Sequence, residues 1–387
     1  MDDISSKKII IATHVYATGP AFDLRDYLVS LKLEKLLFIG HPLFYDKKLK
    51  GSGYELYKQG EQVQEKYGEI SQIPSIISYF KDVFLDLYYV LRIGDKWDLY
   101  VGNDPLNALA GIVLKKLGRV RCVSYYVIDY NPRRFANKLL NSCYHWLDQF
   151  CVTHSDITWN LSPRMAEGRK HYFNFDKGNQ VTVPIGAWYD RIERADSSDV
   201  NKRTLAFMGH VIEKQGVQHV MQAVPEVIKT VPDFKFLVIG GGDYLDSLKL
   251  MAKDLHIEKF VQFTGFVRDH HEVESMLSRC GVAIATYEKY VDGELSFTYF
   301  ADPGKIKNYL AAGLPVLLSD VSYNAREIET RECGRVIDTD PRVIAEAIIT
   351  IMQDELNLIR YRNNAIEYAK QFNWPVIFDR ALSQSMK

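Results

Sequence analysis

The sequence predicts an α/β protein made of two Rossmann-like domains, each with a doubly wound parallel sheet, facing one another across a ligand cleft. Short apolar runs alternate with longer segments of helical spacing, which is typical of strands alternating with helices. The same alternation restarts after a polar interruption near the middle of the chain. A length of 387 residues also exceeds what one hydrophobic core usually holds.

The first half opens with an apolar run at 8–12, as expected for a parallel strand covered on both faces. Similar runs follow at 36–40, 99–102, 122–127, 157–161 and 181–184. Helical spacing separates them, for example at 103–117 and 163–173. The polar stretch 45–70 breaks this rhythm, and we interpret it as a mobile excursion.

Residues 189–203 are rich in Asp, Ser, Arg and Asn and lack apolar periodicity, so we interpret them as a linker. The second half then repeats the pattern, with strand-like runs at 204–208, 236–240, 260–263, 282–285 and 316–319. We therefore expect an N-terminal domain over 1–188, a C-terminal domain over 204–370 and a terminal helical segment over 371–387.

Composition indicates a soluble globular protein of the cytoplasm. The net charge is −1 and basic residues do not pool into one run, which disfavours nucleic acid as a partner. The five cysteines sit singly without zinc spacing, as expected of reduced thiols. The acidic N-terminus has no secretory pattern, and no apolar stretch reaches the roughly 18 residues that a membrane-spanning helix needs.

Two segments, 73–93 and 133–146, combine apolar spacing with basic residues. Either segment suits an anionic membrane surface or a core-facing helix. For 73–93, which carries Phe80, Phe84, Tyr88 and Tyr89, we favour the core. For 133–146 both interpretations stay open.

The most informative stretch for function is a turn followed by a helix that begins near Gly304. A helix N-terminus presents unpaired N–H groups and the positive end of the helix dipole, which suits a phosphate. Lys305 adds a mobile charge there, and Asn308 lies about one turn further along the same face. An ordinary loop–helix–strand unit is the alternative interpretation.

Three other loops follow predicted strands. The loop 209–216 offers His210 and Lys214 beside a strand end, which suits a diphosphate, although a structural loop with a solvated lysine fits the same residues. Gly19 follows the first strand and permits close approach of a ligand to the backbone, with a plain turn as the alternative. Asp129 ends an apolar strand, where its carboxylate either orients a hydroxyl or acts as a base, or caps the next helix.

Taken together, these motifs resemble the retaining nucleotide-sugar glycosyltransferases of the GT-B fold, in family 4 of that class. The resemblance covers the chain and is most specific over 207–320, where the loop 209–216 and the motifs at 238–242, 263–267 and 309–316 occur in family order. Residues 184–187 resemble the hinge entry. The helix at Trp374 resembles the terminal segment that returns to the first domain.

The resemblance assigns each position a role toward the donor. It places the diphosphate at Gly19, Gly209, His210 and Lys214, the nucleobase along Thr264, Gly265 and Phe266, and the sugar and phosphate at Asp302, Pro303, Gly304 and Lys305. It implies that position 308 holds the ribose, and that Asp302 or Glu294 contacts the donor sugar. Asp129, Lys214, Asp302 and Lys305 are the expected catalytic residues.

Four positions depart from the family pattern. His210 stands where arginine is usual, and Gln215 stands where a lysine usually precedes the glycine. Asn308 replaces the ribose-binding glutamate, and Phe300 replaces its usual carboxylate partner. An asparagine still accepts a hydrogen bond from a ribose hydroxyl, more weakly than a carboxylate does.

The implied function is retaining transfer of a sugar from a UDP-, GDP- or ADP-linked donor to a glycan or polyprenyl-linked acceptor in polysaccharide or glycoconjugate assembly. No metal or other cofactor is expected, and peripheral association with the cytoplasmic face of the membrane is compatible with it. The alternatives are a nucleotide-sugar epimerase of the same fold and a non-catalytic nucleotide-sugar-binding protein. A nicotinamide enzyme is disfavoured, because the turn 240–242 has Leu245 where the dinucleotide fingerprint requires glycine.

Overall fold

The structure, a computed structural model, describes residues 4–15, 19–42, 51–69 and 75–386. The chain divides into two compact units. The first contains the chain up to Pro184 together with the segment from Trp374 onward, and the second is Ile185–Asn373. Residues 185–203, which include the expected linker, therefore lie within the second unit.

The first unit is built on one eight-stranded sheet. Its strands are β1 (Lys8–Val15), β2 (Lys35–Pro42), β3 (Gly53–Lys58), β4 (Glu61–Tyr67), β5 (Trp97–Asn103), β6 (Val120–Val127), β7 (Ile157–Asn160) and β8 (Gln180–Thr182). The order across the sheet is β4-β3-β2-β1-β5-β6-β7-β8. All neighbours are parallel except β2–β3 and β3–β4, which are antiparallel. The parallel strands are the predicted apolar runs, so the expectation of a doubly wound sheet is confirmed here.

Six helices accompany this sheet: α1 (Pro20–Ser30), α2 (Ser75–Ile93), α3 (Pro105–Lys116), α4 (Lys138–His154), α5 (Pro163–Phe173) and, from the end of the chain, α14 (Trp374–Ser385). Helix α3 packs against both α2 and α4, whereas α14 packs against α1. Ser385 fixes α14 to the sheet, since its Oγ lies 3.0 Å from Ser124 Oγ and accepts a hydrogen bond from Trp159 Nε1 at 3.1 Å.

Within the polar stretch 45–70, residues 53–58 and 61–67 form strands, so its interpretation as a mobile excursion is wrong for residues 51–69. Strands β3 and β4 extend the sheet at its edge. The Glu55 carboxylate accepts hydrogen bonds from Arg25, Tyr57 and Tyr67, at 3.1, 2.6 and 3.2 Å. Residues 45–50 and 70 lie outside the described part of the chain.

The second unit has a six-stranded sheet and a separate two-stranded hairpin. The sheet contains β9 (Asn201–Met208), β10 (Lys235–Ile239), β11 (Val261–Gly265), β12 (Cys280–Ala285), β15 (Val316–Leu318) and β16 (Gly334–Val336), and the hairpin pairs β13 (Tyr290–Val291) with β14 (Glu294–Leu295). The helices are α6 (Val217–Thr230), α7 (Leu245–Asp254), α8 (His270–Ser278), α9 (Phe297–Phe300), α10 (Gly304–Ala312), α11 (Ala325–Thr330), α12 (Pro341–Gln353) and α13 (Glu355–Ala369). All pairs in the six-stranded sheet are parallel.

The strand order β11-β10-β9-β12-β15-β16 reverses direction between β9 and β12. At such a reversal, the loops that follow the two neighbouring strands run in opposite directions. This leaves a crevice at the carboxyl ends of those strands. Buried side chains such as Phe207, Phe236 and Val238 form the core beneath this edge. The fold thus positions the loops after β9, β10, β11 and β12 around one crevice.

Candidate functional site

The loops that follow β9 and β10 pack directly on one another. The backbone N–H of Gly209 donates to Ile239 O at 2.9 Å, and that of Val211 donates to Gly241 O at 2.9 Å. Gly240 has a φ of 139°, and a Cβ built on it would lie 1.9 Å from Gly209 O. A side chain at position 240 would therefore push these two loops apart, which explains a glycine there better than a dinucleotide fingerprint does.

Lys305 brings together two motifs that the sequence predicted separately. It lies in the first turn of α10, and its Nζ would be only 3.1 Å from a Cβ built on Gly209. The same Nζ donates a hydrogen bond to Gln215 Oε1 at 2.6 Å and lies 4.2 Å from the ring centroid of Phe207. These contacts of Gln215 and Phe207 could not be predicted from the sequence, because they depend on how the loop and the helix pack together.

The charge of Lys305 is poorly compensated. Burial lowers the pKa of its ammonium to about 7. Among the residues that the structure describes, no carboxylate forms an ion pair with it, and its polar partner is the neutral amide of Gln215. An amine in this state gains a proton when an anion arrives, because the negative charge favours the ammonium form.

The N-terminus of α10 completes an anion seat around this amine. Pro303 is the N-cap, and its geometry leaves no side-chain cap on the first turn. The first N–H groups of a helix lack intrahelical partners and carry the positive end of its dipole. Asn308 sits one turn further on, where its Nδ2 donates to Gly304 O at 3.2 Å. The amide oxygen of Asn308 is then the atom suited to accept from a ribose hydroxyl.

Asp302 departs from the expected role. Its side chain is buried, one oxygen pairs with the equally buried Lys307 ammonium, and Oδ2 accepts a hydrogen bond from the Ile185 N–H at 2.8 Å. Lys307 also lies 5.1 Å from the ring centroid of Phe372. Both carboxylate oxygens are thus engaged within the protein. This geometry favours a structural role for Asp302 at the base of the turn over contact with a sugar.

The predicted nucleobase residues follow β11 at the same edge. Thr264 and Gly265 end the strand, and Phe266 is 77% exposed, with its Cβ 3.4 Å from a Cβ built on Gly241. An exposed aromatic ring beside a glycine-rich turn offers a flat apolar face. His210 is exposed in the neighbouring loop, where a Cβ built on Gly242 would lie 2.9 Å from its ring.

Two further residues of the second unit lie outside this cluster of contacts. Lys214 is exposed in the 3₁₀ turn Glu213–Gln215. Glu294 is exposed in the hairpin strand β14, which is not part of the six-stranded sheet. Their assigned roles in catalysis and donor binding therefore stay predictions.

The first unit holds the remaining two predicted residues. Gly19 precedes α1, and a Cβ built on it would have no atom within 4 Å, so there is open space beside its backbone. Asp129 follows β6, and its carboxylate forms an ion pair with Arg134. Helix α4 is capped by Asn137, so capping by Asp129, one of the two interpretations of that residue, is excluded.

A cavity of about 450 Å³ opens at the carboxyl ends of β12, β15 and β16. Tyr287, Ser319, Asp320 and Ile337 are among its lining residues. The Tyr287 ring centroid lies 5.2 Å from the Nζ of Lys305, so the cavity adjoins the anion seat. The sequence did not predict this cavity.

Within the described ranges, no group of three or more His, Cys, Asp or Glu side chains is arranged to hold a metal ion. Whether the protein works without a metal or another cofactor stays a prediction.

Three comparisons with known proteins bear on this geometry. The phosphatidyl-myo-inositol mannosyltransferase of Mycolicibacterium smegmatis is 28% identical over 177 residues, which are 45% of this chain and 42% of that protein. The D-inositol 3-phosphate glycosyltransferase of Corynebacterium efficiens is 23% identical over 319 residues, covering 74% of this chain and 70% of that protein. The crystal structure of Anabaena HepE in complex with UDP has a TM-score of 0.70 at 14% identity and covers 97% of this chain and 98% of that one.

The two Rossmann-like units have the GT-B fold. The family described as "Glycosyl transferases group 1" matches residues 189–372, almost the whole second unit. The match to the mannosyltransferases spans about half of their length, 42% for the Mycolicibacterium smegmatis protein and 51% for that of Mycobacterium tuberculosis.

Proposed function

We propose that the protein is a retaining glycosyltransferase that moves a sugar from a nucleotide-diphosphate donor to a hydroxyl of a glycan or lipid-linked acceptor. The observation that carries the proposal is the poorly compensated Lys305 ammonium at the N-terminus of α10, beside the backbone of Gly209. A site of this kind fits a diphosphate, and it lies in the unit that the group 1 glycosyltransferase family model matches. The relatives named for transfer to inositol phosphates and phosphatidylinositol support a phosphorylated or lipid-linked acceptor.

In the proposed reaction, the bond between the anomeric carbon and the diphosphate oxygen breaks, and the diphosphate leaves with the electron pair. Lys305 and the first N–H groups of α10 stabilise the charge that develops on that oxygen. Phe266 stacks on the nucleobase, and the amide oxygen of Asn308 accepts from the ribose. The acceptor hydroxyl attacks from the face that the diphosphate leaves, with Asp129 proposed to orient it. As its oxygen bonds to the anomeric carbon, its proton passes to the departing diphosphate oxygen.

The test has two stages. A thermal-shift screen with UDP, GDP, ADP and CDP forms identifies the base, because a ligand that binds the folded state raises apparent stability by mass action. Turnover with the matching sugar donor is then compared for wild type, Lys305→Ala and the control Lys229→Ala, which removes an exposed lysine of α6. We expect the Lys305 variant to lose about 10²- to 10³-fold in turnover and the control to keep wild-type rates.

Product analysis separates the alternatives. A glycosylated product that forms only when acceptor is present supports transfer. Conversion of the donor to its epimer without acceptor would instead support an epimerase. Binding without transfer, epimerisation or hydrolysis of any donor would support a non-catalytic binding protein, and unchanged turnover in Lys305→Ala would remove the assigned role of that residue.

A further inference from the structure

Helix α2 has its apolar side facing outward. Ile77, Phe80, Phe84, Tyr88 and Leu91 follow a three-to-four-residue spacing and are all exposed, Phe80 by 75% and Phe84 by 64%. An amphipathic helix of a globular protein normally turns such a stripe toward the core. The expectation that the aromatic face of 73–93 packs in the core is therefore wrong for these residues; Tyr89 alone among the predicted aromatics is buried.

The buried side of α2 carries two carboxylates. Asp82 and Asp86, one turn apart, face two histidines that end neighbouring strands, His14 of β1 and His41 of β2. His41 Nδ1 lies 3.3 Å from Asp82 Oδ1, and its Nε2 lies 3.1 Å from Asp86 Oδ1. His14 Nε2 lies 3.5 Å from Asp82 Oδ2, and its Nδ1 lies 2.6 Å from Oδ2 of Asp104, the N-cap of α3.

These buried ion pairs between α2 and the strands oppose a rotation of the helix. Burial alone would lower the pKa of His14, but Asp104 and Asp82 outweigh it and raise that pKa to about 10. The two imidazoles hold the pKa of Asp82 well below its usual range, despite its burial. Rotating α2 to bury its aromatic stripe would leave buried charges without partners, which is costly. The stripe is consequently held outward.

Helix α4 adds a second exposed apolar face in the same layer. Leu139 is 75% exposed, Trp146 is 67% exposed, and Leu140 lies beside them. Both α2 and α4 pack against α3, so the three helices form one layer of the first unit. Exposed apolar side chains on two flanking helices of one layer indicate a surface to which a partner binds.

The charges of this helix layer indicate which kind of partner its exposed surface suits. The carboxylates within α2, α3 and α4 belong to Asp82, Asp86 and Asp148, and all three are buried. Exposed charges within the same helices are basic: Arg92, Lys116 and Lys138. A second copy of the chain would bring like charges together, whereas anionic lipid head groups would complement them. Exposed phenylalanine, leucine, tyrosine and tryptophan side chains also suit the boundary between head groups and acyl chains.

We propose that the outer faces of α2 and α4 form a docking surface for an anionic phospholipid bilayer. The apolar stripe enters the boundary between head groups and acyl chains, and the basic residues pair with lipid phosphates. No described helix is long and apolar enough to cross a bilayer, so binding of this kind is peripheral. The surface belongs to the first unit and the anion seat to the second, and docking of this kind requires neither donor nor acceptor.

The test is co-sedimentation of the full chain with vesicles of phosphatidylcholine, alone or with about one-third phosphatidylglycerol. The variant Phe80→Ser/Phe84→Ser is compared with the matched control Leu250→Ser/Leu356→Ser, which removes two exposed apolar side chains from the second unit. We expect wild type and control to bind the anionic vesicles equally, and the α2 variant to bind at least tenfold more weakly. High salt should weaken wild-type binding. Thermal unfolding checks that both variants fold.

A second measurement does not depend on a loss of function. In Phe84→Trp the added indole should show a blue-shifted emission on addition of anionic vesicles, relative to the parent protein, whereas Leu356→Trp should show no such shift. Equal binding to both vesicle types, or an unaffected α2 double variant, would overturn the proposal. A dimer in solution that the α2 variant abolishes would assign the surface to a second copy instead. Because no nucleotide is used, failure here is distinct from failure of the transfer assay.

Discussion

The Nζ of Lys305 donates a hydrogen bond to Oε1 of Gln215 over 2.6 Å, and this neutral amide is the polar partner of a half-buried amine. A carboxylate at position 215 would neutralise the ammonium and compete with an incoming phosphate. The amide orients Lys305 without cancelling its charge. The pair thus keeps the seat at the start of α10 receptive to an anion.

Donor binding should be coupled to uptake of a proton by Lys305. With a pKa of about 7 in the free protein, most of the amine is unprotonated at pH 8, and a bound diphosphate favours the protonated form. Calorimetry in buffers of different ionisation enthalpy should show uptake approaching one proton at pH 8 and little at pH 6. Lys305→Met should abolish the effect, and an absence of buffer dependence in wild type at pH 8 would contradict the prediction.

Lys305 should also reduce the stability of the folded protein, most strongly in acid. Its pKa is lowered from 10.5 to about 7 on folding, so between these values the unfolded chain holds more protons and stability rises with pH. Below pH 7 both states are protonated and the full cost of burying the charge remains. Lys305→Met should therefore raise the free energy of unfolding by about 1 to 3 kcal/mol at pH 6 and by less at pH 9. Lys229→Met, at an exposed site, should show no such pH dependence.

The buried Asp302–Lys307 pair should matter for stability more than for chemistry. Asp302→Asn leaves a buried ammonium without its carboxylate, which should cost about 3 to 5 kcal/mol in denaturant unfolding. The double variant Asp302→Leu/Lys307→Met removes both charges and should recover most of that loss. If the double variant folds stably yet loses its turnover, the carboxylate acts on the substrate and the structural assignment is wrong.

Phe266 should contribute to donor affinity but not to stability. Its ring is largely exposed, so Phe266→Ala should leave the unfolding temperature unchanged. Loss of stacking on the base should raise the KM for the donor by about 3- to 10-fold, equivalent to roughly 0.5 to 1.5 kcal/mol. Leu250→Ala, at a similarly exposed apolar site on α7, provides the control. A fall in turnover at saturating donor, with KM unchanged, would argue against a stacking role.

Much of the fold could be predicted from the sequence because buried parallel strands appear as continuous apolar runs. The runs that became β1, β5, β9 and β12 are almost continuously apolar, as a sheet covered on both faces requires. Strand β4 escaped prediction since its residues are polar and exposed at the sheet edge, and such a strand resembles a loop in sequence.

The site was predictable at the level of loops but not of contacts. A glycine after a strand and a lysine at a helix start mark an anion seat, and Gly209 and Lys305 do meet. Whether Asp302 faces a ligand depends on its contacts with Lys307 and Ile185. These contacts arise from tertiary packing, which the local sequence pattern does not show. The sequence also could not predict that the apolar stripe of α2 faces solvent. Its periodicity is the same whether the stripe faces the core or the solvent.

The packing of α14 on the first unit has a consequence for the order in which the protein is made. The 189 residues of the second unit, Ile185–Asn373, are synthesised between the two parts of the first. At typical elongation rates of about 5 to 20 residues per second, synthesis of these residues takes roughly 10 to 40 s. The strands of the first sheet are therefore made that long before the helix that carries Ser385. During that interval the surface of α1 that α14 covers is open to solvent or to a chaperone. Synthesis of the second unit begins later, but it is completed before that of the first unit.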